Sequence, residues 1–186
     1  MKFTSLDLKP KILAGLRDMG YVDLTPVQEK TFPHILAGTD IIARAETGSG
    51  KTAACAVPLV QMVDPTVSAV QSLILVPTRE LALQYVSEIS DIARKTDIAP
   101  SAVYCGFSMQ IQVAKLNHGV DILVATPGRL IDLLRNTSLS LANVRTFVLD
   151  EADEMLKMGF ITDVEFIICC LIHEHQTLLF SATMPK

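Results

Sequence analysis

The sequence predicts an α/β fold, a three-layer, doubly wound domain on a mainly parallel sheet that fills residues 1–186 as a single domain. Two observations predict it. Short β-branched runs alternate with longer amphipathic runs along the chain, which is the order of repeated β-α-β units with right-handed crossovers. The short runs are also almost continuously apolar, which is typical of strands buried on both faces of a parallel sheet.

The elements follow in order from these runs. Strand candidates cover residues 40–45, 72–76, 101–105, 121–126, 146–150 and 177–182, and helical candidates cover 8–20, 25–38, 52–60, 78–95, 108–117, 128–136 and 160–172. The helix from residue 25 opens with Thr25 as N-cap and Pro26 at the first helical position, a common helix start. The first helix can end at Gly20.

Composition restricts the class of function. The formal net charge is −4 and the sequence pI is near 5.5, so the strongly basic footprint of a stand-alone nucleic-acid binder is absent, although a local basic edge is compatible. No apolar segment approaches the roughly 18 residues of a membrane helix, and the N-terminus lacks the apolar stretch of a signal peptide. We therefore predict a cytoplasmic protein without a membrane partner.

The four cysteines show no metal-binding spacing. Cys55 and Cys105 are isolated, and Cys169 and Cys170 are adjacent in an apolar run. Because free cysteine is among the most often buried residue types, we predict four reduced thiols in the core.

Residues 45–52, "AETGSGKT", match the phosphate-binding P-loop pattern except at Ala45, where the pattern has glycine. A strand candidate precedes the segment and a helix candidate follows it, as the motif requires. Unpaired N–H groups at a helix start attract an anion, Lys51 can reach the outer phosphates, and the Thr52 hydroxyl can ligate Mg²⁺. The alternative is a glycine-rich turn with a hydroxyl cap. We predict a triphosphate site formed by Ala45, Glu46, Thr47, Gly48, Ser49, Gly50, Lys51 and Thr52.

A pair of carboxylates ends another strand candidate, in the run "TFVLDEAD". Ligands of parallel sheets bind beyond the carboxyl ends of the strands, so Asp150 could share a magnesium ion with Thr52, and Glu151 could polarise an attacking water. The alternative is an ordinary acidic helix start. With the P-loop in the same sheet, we predict Lys51, Asp150 and Glu151 as the catalytic group.

Six segments in order resemble the first RecA-like domain of a DEAD-box RNA helicase: "GYVDLTPVQ", "AETGSGKT", "PTRELALQ", "TPGRL", "DEAD" and "SAT". The matching segments run from Phe3 to the end of the chain. The resemblance implies an ATP-dependent RNA helicase with ATP and Mg²⁺ as cofactors and RNA as partner.

The resemblance also implies how adenine is bound. Gln28 matches the family's adenine-reading glutamine, and the alternative is that Thr25 and Gln28 form a capping box. Tyr21 lies near the base, and Phe3, 17 positions before Gly20, matches an aromatic residue that supports the adenine site. For both aromatic residues the alternative is core packing.

Two further roles follow from the resemblance. RNA-backbone contacts are implied for Pro77, Thr78, Arg79, Gly106, Thr126, Gly128 and Arg129, and such contacts carry little sequence information. For the two arginines the alternative is a solvated charge at a helix start. Ser181 and Thr183 match the segment that couples hydrolysis to strand separation, with Asp153 as their partner.

The chain departs from the family pattern at Glu46, where glutamine is usual, and at Cys105, where glycine is usual. Cys105 weakens the expected RNA contact at Gly106 unless the preceding strand simply extends by one residue. In the family a second RecA-like domain with arginine fingers follows, so we expect this chain to be the N-terminal half of a longer helicase.

Other functions remain open. A non-enzymatic ATP-gated RNA clamp or scaffold would use the same motifs. A small-molecule P-loop kinase would need a lid with arginines and an acceptor pocket, neither of which is visible. The sequence contains no Asn-Lys-x-Asp segment for guanine, which disfavours a GTPase, and "DEAD" rather than a histidine-ended variant disfavours the DEAH-type helicases.

Overall fold

The computed structural model describes residues 1–46 and 48–183, and in these a six-stranded sheet forms the centre of the fold. The strands are β1 (Ile41–Arg44), β2 (Ser72–Leu75), β3 (Pro100–Val103), β4 (Ile122–Ala125), β5 (Thr146–Leu149) and β6 (Gln176–Ser181). Their order is β1-β6-β5-β2-β4-β3, and every neighbouring pair is parallel. The predicted parallel, doubly wound sheet is confirmed.

Helices connect the strands. They are α1 (Pro10–Asp18), α2 (Pro26–Leu36), α3 (Lys51–Met62), α4 (Arg79–Ala93), α5 (Met109–Asn117), α6 (Pro127–Asn136), α7 (Ala152–Lys157) and α8 (Ile161–Cys169). A short 3₁₀ turn, Phe3–Ser5, precedes α1. The sequence predicted seven of the eight α-helices found within residues 1–46 and 48–183. It missed α7 because six residues are too few to show a helical period.

Alternate residues of the strands point into two separate apolar cores, as the period of a strand requires. On one face of the sheet, Ile74 and Val124 pack with residues of α1 to α4. On the other face, Leu73 and Leu123 pack with residues of α6 to α8. Helices therefore cover both faces, which confirms the three layers.

Burial on both faces, predicted for every strand, is wrong for β1. This strand lies at one edge of the sheet, and the Ile42 side chain is 75% exposed. The predicted strand 101–105 also ends early: β3 stops at Val103, and Cys105 and Gly106 lie in the following turn. The extended strand that the sequence left open to accommodate Cys105 is therefore not formed.

The cysteine prediction is only partly right. All four thiols are free, and Cys55 is buried in α3. Core burial is wrong for the others, because Cys105 and Cys169 are exposed and Cys170 is half-buried. The early end of β3 exposes Cys105, and α8 turns the Cys169 side of its surface away from the sheet.

Within residues 1–46 and 48–183, no helix has the length and apolar character needed to cross a bilayer.

Candidate functional site

The P-loop connects the carboxyl end of β1 to the first turn of α3. Ala45 is buried, and its N–H donates to the Ser181 carbonyl of β6 at 3.0 Å. The Glu46 carbonyl accepts bonds from the Ser49 N–H at 3.3 Å and the Ser49 hydroxyl at 2.7 Å. Gly48 and Gly50 take positive φ angles of 81° and 88°, where a side chain is strained. Thr47 lies outside the described residues.

Helix α2 is tied to this loop through Gln28, which is 3% exposed. Its Oε1 accepts from the Thr25 N–H at 2.9 Å, and its Nε2 donates to the Gly50 carbonyl at 3.0 Å. Thr25 and Gln28 take the reciprocal arrangement of a capping box, as the alternative predicted. The bond to Gln28 is the closer half, because the buried Thr25 hydroxyl lies outside hydrogen-bond distance of any partner in the described part of the chain. Adenine reading by Gln28 stays a prediction, because both ends of the amide already bond to protein.

Lys51 and Asp150 meet at the carboxyl ends of the strands. Lys51 Nζ lies 2.9 Å from Asp150 Oδ1, and the two side chains are 7% and 0% exposed. The P-loop and the acidic pair therefore converge at one edge of the sheet, as predicted. A buried ion pair depends on both partners, because removing one leaves an uncompensated charge.

A second buried group reaches Asp150 from the opposite direction. The hydroxyl of Tyr85, in α4, donates to Asp150 Oδ2 at 2.6 Å and lies 3.6 Å from Cys55 Sγ. Burial raises the pKa of Tyr85 and that of Cys55 well above their ordinary values, so both groups stay protonated. The sequence analysis did not identify Tyr85 as a site residue, because an aromatic residue on the apolar face of a helix predicts only core packing.

The backbone of Glu151 is unusual. It takes φ 54° and ψ 47°, in the left-handed region, between the end of β5 and the start of α7. Its N–H donates to Asp150 Oδ1 at 2.7 Å. Burial raises the pKa of Glu151 more than the nearby Lys51 lowers it. Strain of this kind in a non-glycine residue occurs most often at functional sites.

Lys51, Asp150 and Glu151 line one cleft of about 450 Å³ between the P-loop, α4 and the acidic pair. Thr52 lies in it beside Asp150 and Glu151. A hydroxyl and a carboxylate oxygen are the ligand types that Mg²⁺ takes alongside phosphate oxygens. The residues present therefore fit a magnesium–nucleotide complex.

Tyr21 lines the same cleft. Its place beside the base stays a prediction. Its hydroxyl donates to Glu88 at 2.9 Å, and burial together with Glu88 raises the pKa of Tyr21 to about 12. Its ring stacks on Phe3 at a centroid distance of 5.9 Å. Phe3 is buried and also contacts Phe32 edge to face. It therefore packs in the core, and the Tyr21 ring stacks against it.

The segment at the end of β6 contacts α7. Asp153 Oδ2 accepts from the Thr183 hydroxyl at 2.8 Å and from the Thr183 N–H at 3.2 Å. The Ser181 hydroxyl donates to the Thr183 carbonyl at 2.6 Å. Burial opposes ionisation of Asp153, but the hydrogen bonds, led by that from the Thr183 hydroxyl, outweigh it and lower the pKa to about 2. The predicted contact of Thr183 with Asp153 is therefore present, whereas the Ser181 hydroxyl bonds to Thr183 and not directly to Asp153. Their coupling role stays a prediction.

The residues predicted to bind RNA lie mainly at the starts of α4 and α6 and in the β3–α5 turn. The Arg79 guanidinium lies 5.1 Å from the centroid of the Tyr104 ring. Arg129 Nη1 donates to the Phe107 carbonyl at 3.1 Å. Within the described chain, Arg129 Nε and the buried Thr126 hydroxyl have no hydrogen-bond partner. Polar groups left in this state can bind a ligand such as phosphate.

Other members of the predicted RNA set differ in their surroundings. Pro77 is buried, which disfavours a contact by its ring. Thr78 accepts from the Leu81 N–H at 3.3 Å as the N-cap of α4, and it also lines the nucleotide cleft. Gly106 is exposed with φ 83°, and Gly128 packs near Cys105. RNA binding by these residues stays a prediction.

Comparison with known proteins gives the family. The DEAD/DEAH box helicase family model matches residues 25–186. The chain belongs to this family. It is 44% identical over 185 residues to the DEAD-box ATP-dependent RNA helicase CshA of Streptococcus pneumoniae, covering 100% of this chain and 35% of that protein. It is 47% identical over 185 residues to the ATP-dependent RNA helicase DeaD of Escherichia coli, covering 99% of this chain and 29% of that protein.

Solved structures agree. A crystal structure of a DEAD box protein from the hyperthermophile Methanococcus jannaschii matches with a TM-score of 0.95 at 42% identity, covering 100% of this chain and 51% of that chain. A hypothetical ATP-dependent RNA helicase from Sulfolobus tokodaii matches with a TM-score of 0.88 at 41% identity, covering 96% and 52%. The DEAD-box chain thus spans about a third of its curated relatives and about half of these structures.

Proposed function

We propose that this chain is the ATP-binding domain of an ATP-dependent RNA helicase. The observation that carries the proposal is the meeting of Lys51 and Asp150 at 2.9 Å in a cleft that Thr52 and Glu151 also line. Phosphoryl transfer requires a phosphate cradle, a metal carboxylate and a group that positions water, and the residues that line this cleft are of the types that could serve as all three, which supports the proposal. The names of the relatives support the same activity.

Each residue has a distinct part in the proposed reaction. The N–H groups at the start of α3 bind the phosphates. Lys51 moves away from Asp150, and its ammonium group pairs with the negative charge of the outer phosphates. Thr52 and Asp150 would hold Mg²⁺, which neutralises charge on the phosphate oxygens when bound. Glu151 would orient the attacking water and accept its proton. A carboxylate with a raised pKa is a better proton acceptor near neutral pH than an ordinary one.

The RNA side of the proposal rests on separate groups. Arg79 and Arg129 would bind backbone phosphates, assisted by the hydroxyl of Thr126, so binding should tolerate many sequences. The contact of Thr183 with Asp153 would relay the state of the nucleotide site to the segment after β6. Because the relatives are longer, we further propose that a second RecA-like domain completes both sites, and that the protein acts in the cytoplasm.

Glutamate substitution tests the enzyme proposal in the longer protein that contains both domains. We expect Glu151→Gln to abolish RNA-stimulated ATP hydrolysis while ATP-dependent retention of RNA remains. Glu154→Gln is the matched control, because Glu154 lies one turn further along α7 and pairs with Lys157 at the surface. Undiminished hydrolysis by Glu151→Gln would refute the assigned role. A wild type that retains RNA but never hydrolyses ATP would instead favour a clamp, which none of the named relatives supports.

Nucleotide choice tests the adenine site in the 186-residue chain. We expect ATP to bind more tightly than GTP, and Gln28→Ala to remove the difference. Equal affinity of the unaltered chain for both nucleotides would contradict an adenine-specific site. A preference for ATP that survives Gln28→Ala would assign base reading to another residue.

A further inference from the structure

Tyr85 carries a hydroxyl into the interior at a position where phenylalanine would fill the same space. The residue is 0% exposed, and its hydroxyl donates to Asp150 Oδ2 at 2.6 Å. Burying a hydroxyl is unfavourable unless it is hydrogen-bonded, and a bond to a charged carboxylate is among the stronger ones. The partner in this case is the carboxylate proposed to hold magnesium.

We propose that Tyr85 is a positioning residue for the metal carboxylate. Its hydroxyl holds Asp150 so that Oδ1 faces the P-loop, and it thereby strengthens magnesium-dependent nucleotide binding. This inference rests on the proposed nucleotide site and adds a residue to it that no motif contains.

The division of contacts between the two carboxylate oxygens supports the assignment. Oδ1 accepts from Lys51 Nζ at 2.9 Å and from the Glu151 N–H at 2.7 Å, whereas Oδ2 accepts from Tyr85 at 2.6 Å. When Lys51 moves to the phosphates, the donors to Asp150 that remain among the described residues are the Glu151 N–H and the Tyr85 hydroxyl. One bond to each oxygen fixes the plane of the carboxylate, whereas a single bond leaves its terminal torsion broad.

Cys55 provides a matched control in the same pocket. Its Sγ lies 3.6 Å from the Tyr85 oxygen. A phenol has one proton, and here it is donated to Asp150, so the thiol can only donate to the phenol oxygen. Replacing Cys55 by alanine therefore disturbs the surroundings of Tyr85 but keeps its bond to Asp150.

The test measures binding of a non-hydrolysable ATP analogue, adenylyl imidodiphosphate, to the 186-residue chain in Mg²⁺ and in EDTA. We expect Tyr85→Phe to weaken binding in Mg²⁺ about tenfold, the equivalent of one bond to a charged group of about 1.4 kcal/mol. Binding in EDTA should change less than about twofold on the same scale. Cys55→Ala should keep the wild-type ratio between the two conditions. In an Asp150→Asn background, Tyr85→Phe should have no further effect on that ratio.

The outcomes separate this inference from the proposed function. If wild type gains affinity in Mg²⁺ and Tyr85→Phe gains as much, Tyr85 does not position the carboxylate. An equal loss in both conditions, or an equal change of the ratio in Cys55→Ala, would show a packing effect and would also overturn it. If the wild-type chain binds no nucleotide, the proposed site itself fails, and this inference with it.

Discussion

Glu151 combines strain with an unfavourable charge. Among residues 1–46 and 48–183 it is the one non-glycine residue with a left-handed backbone, at φ 54°. Burial raises the pKa of Glu151 above its ordinary value, so the ionised carboxylate is less favourable in the folded chain than in the unfolded one. The fold tolerates both a strained backbone and a partly buried carboxylate at this residue, as expected if Glu151 takes part in catalysis.

We therefore predict that Glu151→Gly stabilises the chain. Glycine takes the left-handed conformation without a Cβ penalty of about 1–2 kcal/mol, and its greater freedom when unfolded costs about 0.5–1 kcal/mol. The free energy of unfolding should rise by about 0.5–1 kcal/mol in urea denaturation. Glu154→Gly, in the regular part of α7, is the control and should lower it. A loss of stability in Glu151→Gly would show that its backbone carries little strain.

Glu151 was predicted from the sequence as a residue of the site, and Tyr85 was not. The difference between them shows which site residues a sequence pattern can identify. Glu151 belongs to a run of acidic residues after a strand, so its spacing and chemistry predict its place. Tyr85 occupies an apolar position of an amphipathic helix, and its hydroxyl finds a partner 65 residues away. Only the packing of α4 against the sheet brings these residues together, and no local pattern encodes such a long-range contact.

At the scale of elements, α2 packs closely against the P-loop. A Cβ placed on Gly50 would lie 2.7 Å from the Thr25 hydroxyl oxygen and 2.8 Å from Gln28 Nε2. A Cβ placed on Gly48 would meet no atom within 4 Å. Both glycines have positive φ, so only the packing differs between them.

Alanine substitutions at Gly48 and Gly50 distinguish the cost of backbone strain from the cost of overpacking. We predict that Gly50→Ala lowers the free energy of unfolding by about 2–4 kcal/mol, because the left-handed penalty adds to overpacking. Gly48→Ala should lower it by only about 1 kcal/mol, from the backbone penalty alone. Urea denaturation of both variants measures the difference. Equal losses would show that α2 can move away from the loop at little cost.

The contact between α7 and the end of β6 makes a prediction about pH. The folded pKa of Asp153 is lowered to about 2 from an ordinary 3.8, so the contact stabilises the fold above about pH 4 and is lost as the pH falls through about 2. We predict that Thr183→Val raises the pKa of Asp153 towards 3.8, because it removes the hydroxyl donor. Titration of the carboxyl carbon by NMR measures this value. Asp64, whose carboxyl pKa is lowered by bonds from Thr66, should titrate unchanged in the same spectra. An unchanged Asp153 would show that the hydroxyl is not a stabilising donor.

The sequence predicted central elements better than edge elements. Strands β2 and β4 are buried throughout and were recognised from continuous apolar runs. Edge strand β1 has an apolar run as well, but half of it faces outward, because the strand order of a sheet depends on how the whole chain folds. Strand β3, at the other edge, ends two residues earlier than its apolar letters suggest, and the turn that follows exposes Cys105.

On the scale of the whole molecule, this chain matches only about a third of the length of its helicase relatives, and this limits the activity that we expect from the chain alone. Because it spans 35% of CshA and 29% of DeaD, we expect the 186-residue chain to bind nucleotide but to show little RNA-stimulated turnover. Arginine fingers in related systems contribute roughly 10³–10⁵ in rate, and we propose that they lie in the second domain. Robust RNA-stimulated ATP hydrolysis by the 186-residue chain would contradict this division of labour.

The charge of the whole molecule affects how the proposed RNA binding would respond to salt. With a net charge of −4, the protein has no net electrostatic attraction for RNA, so the proposed binding would depend on Arg79 and Arg129. Each phosphate contact to single-stranded RNA contributes about −0.7 to the slope of log affinity against log salt. We predict a slope of about −1.4 for a single-stranded homopolymer, and about −0.7 for Arg129→Gln. Fluorescence anisotropy across a salt series measures both slopes, with Arg135→Gln on the far end of α6 as the matched control that keeps the wild-type slope. A wild-type slope steeper than about −3 would show that residues beyond these two arginines bind the backbone.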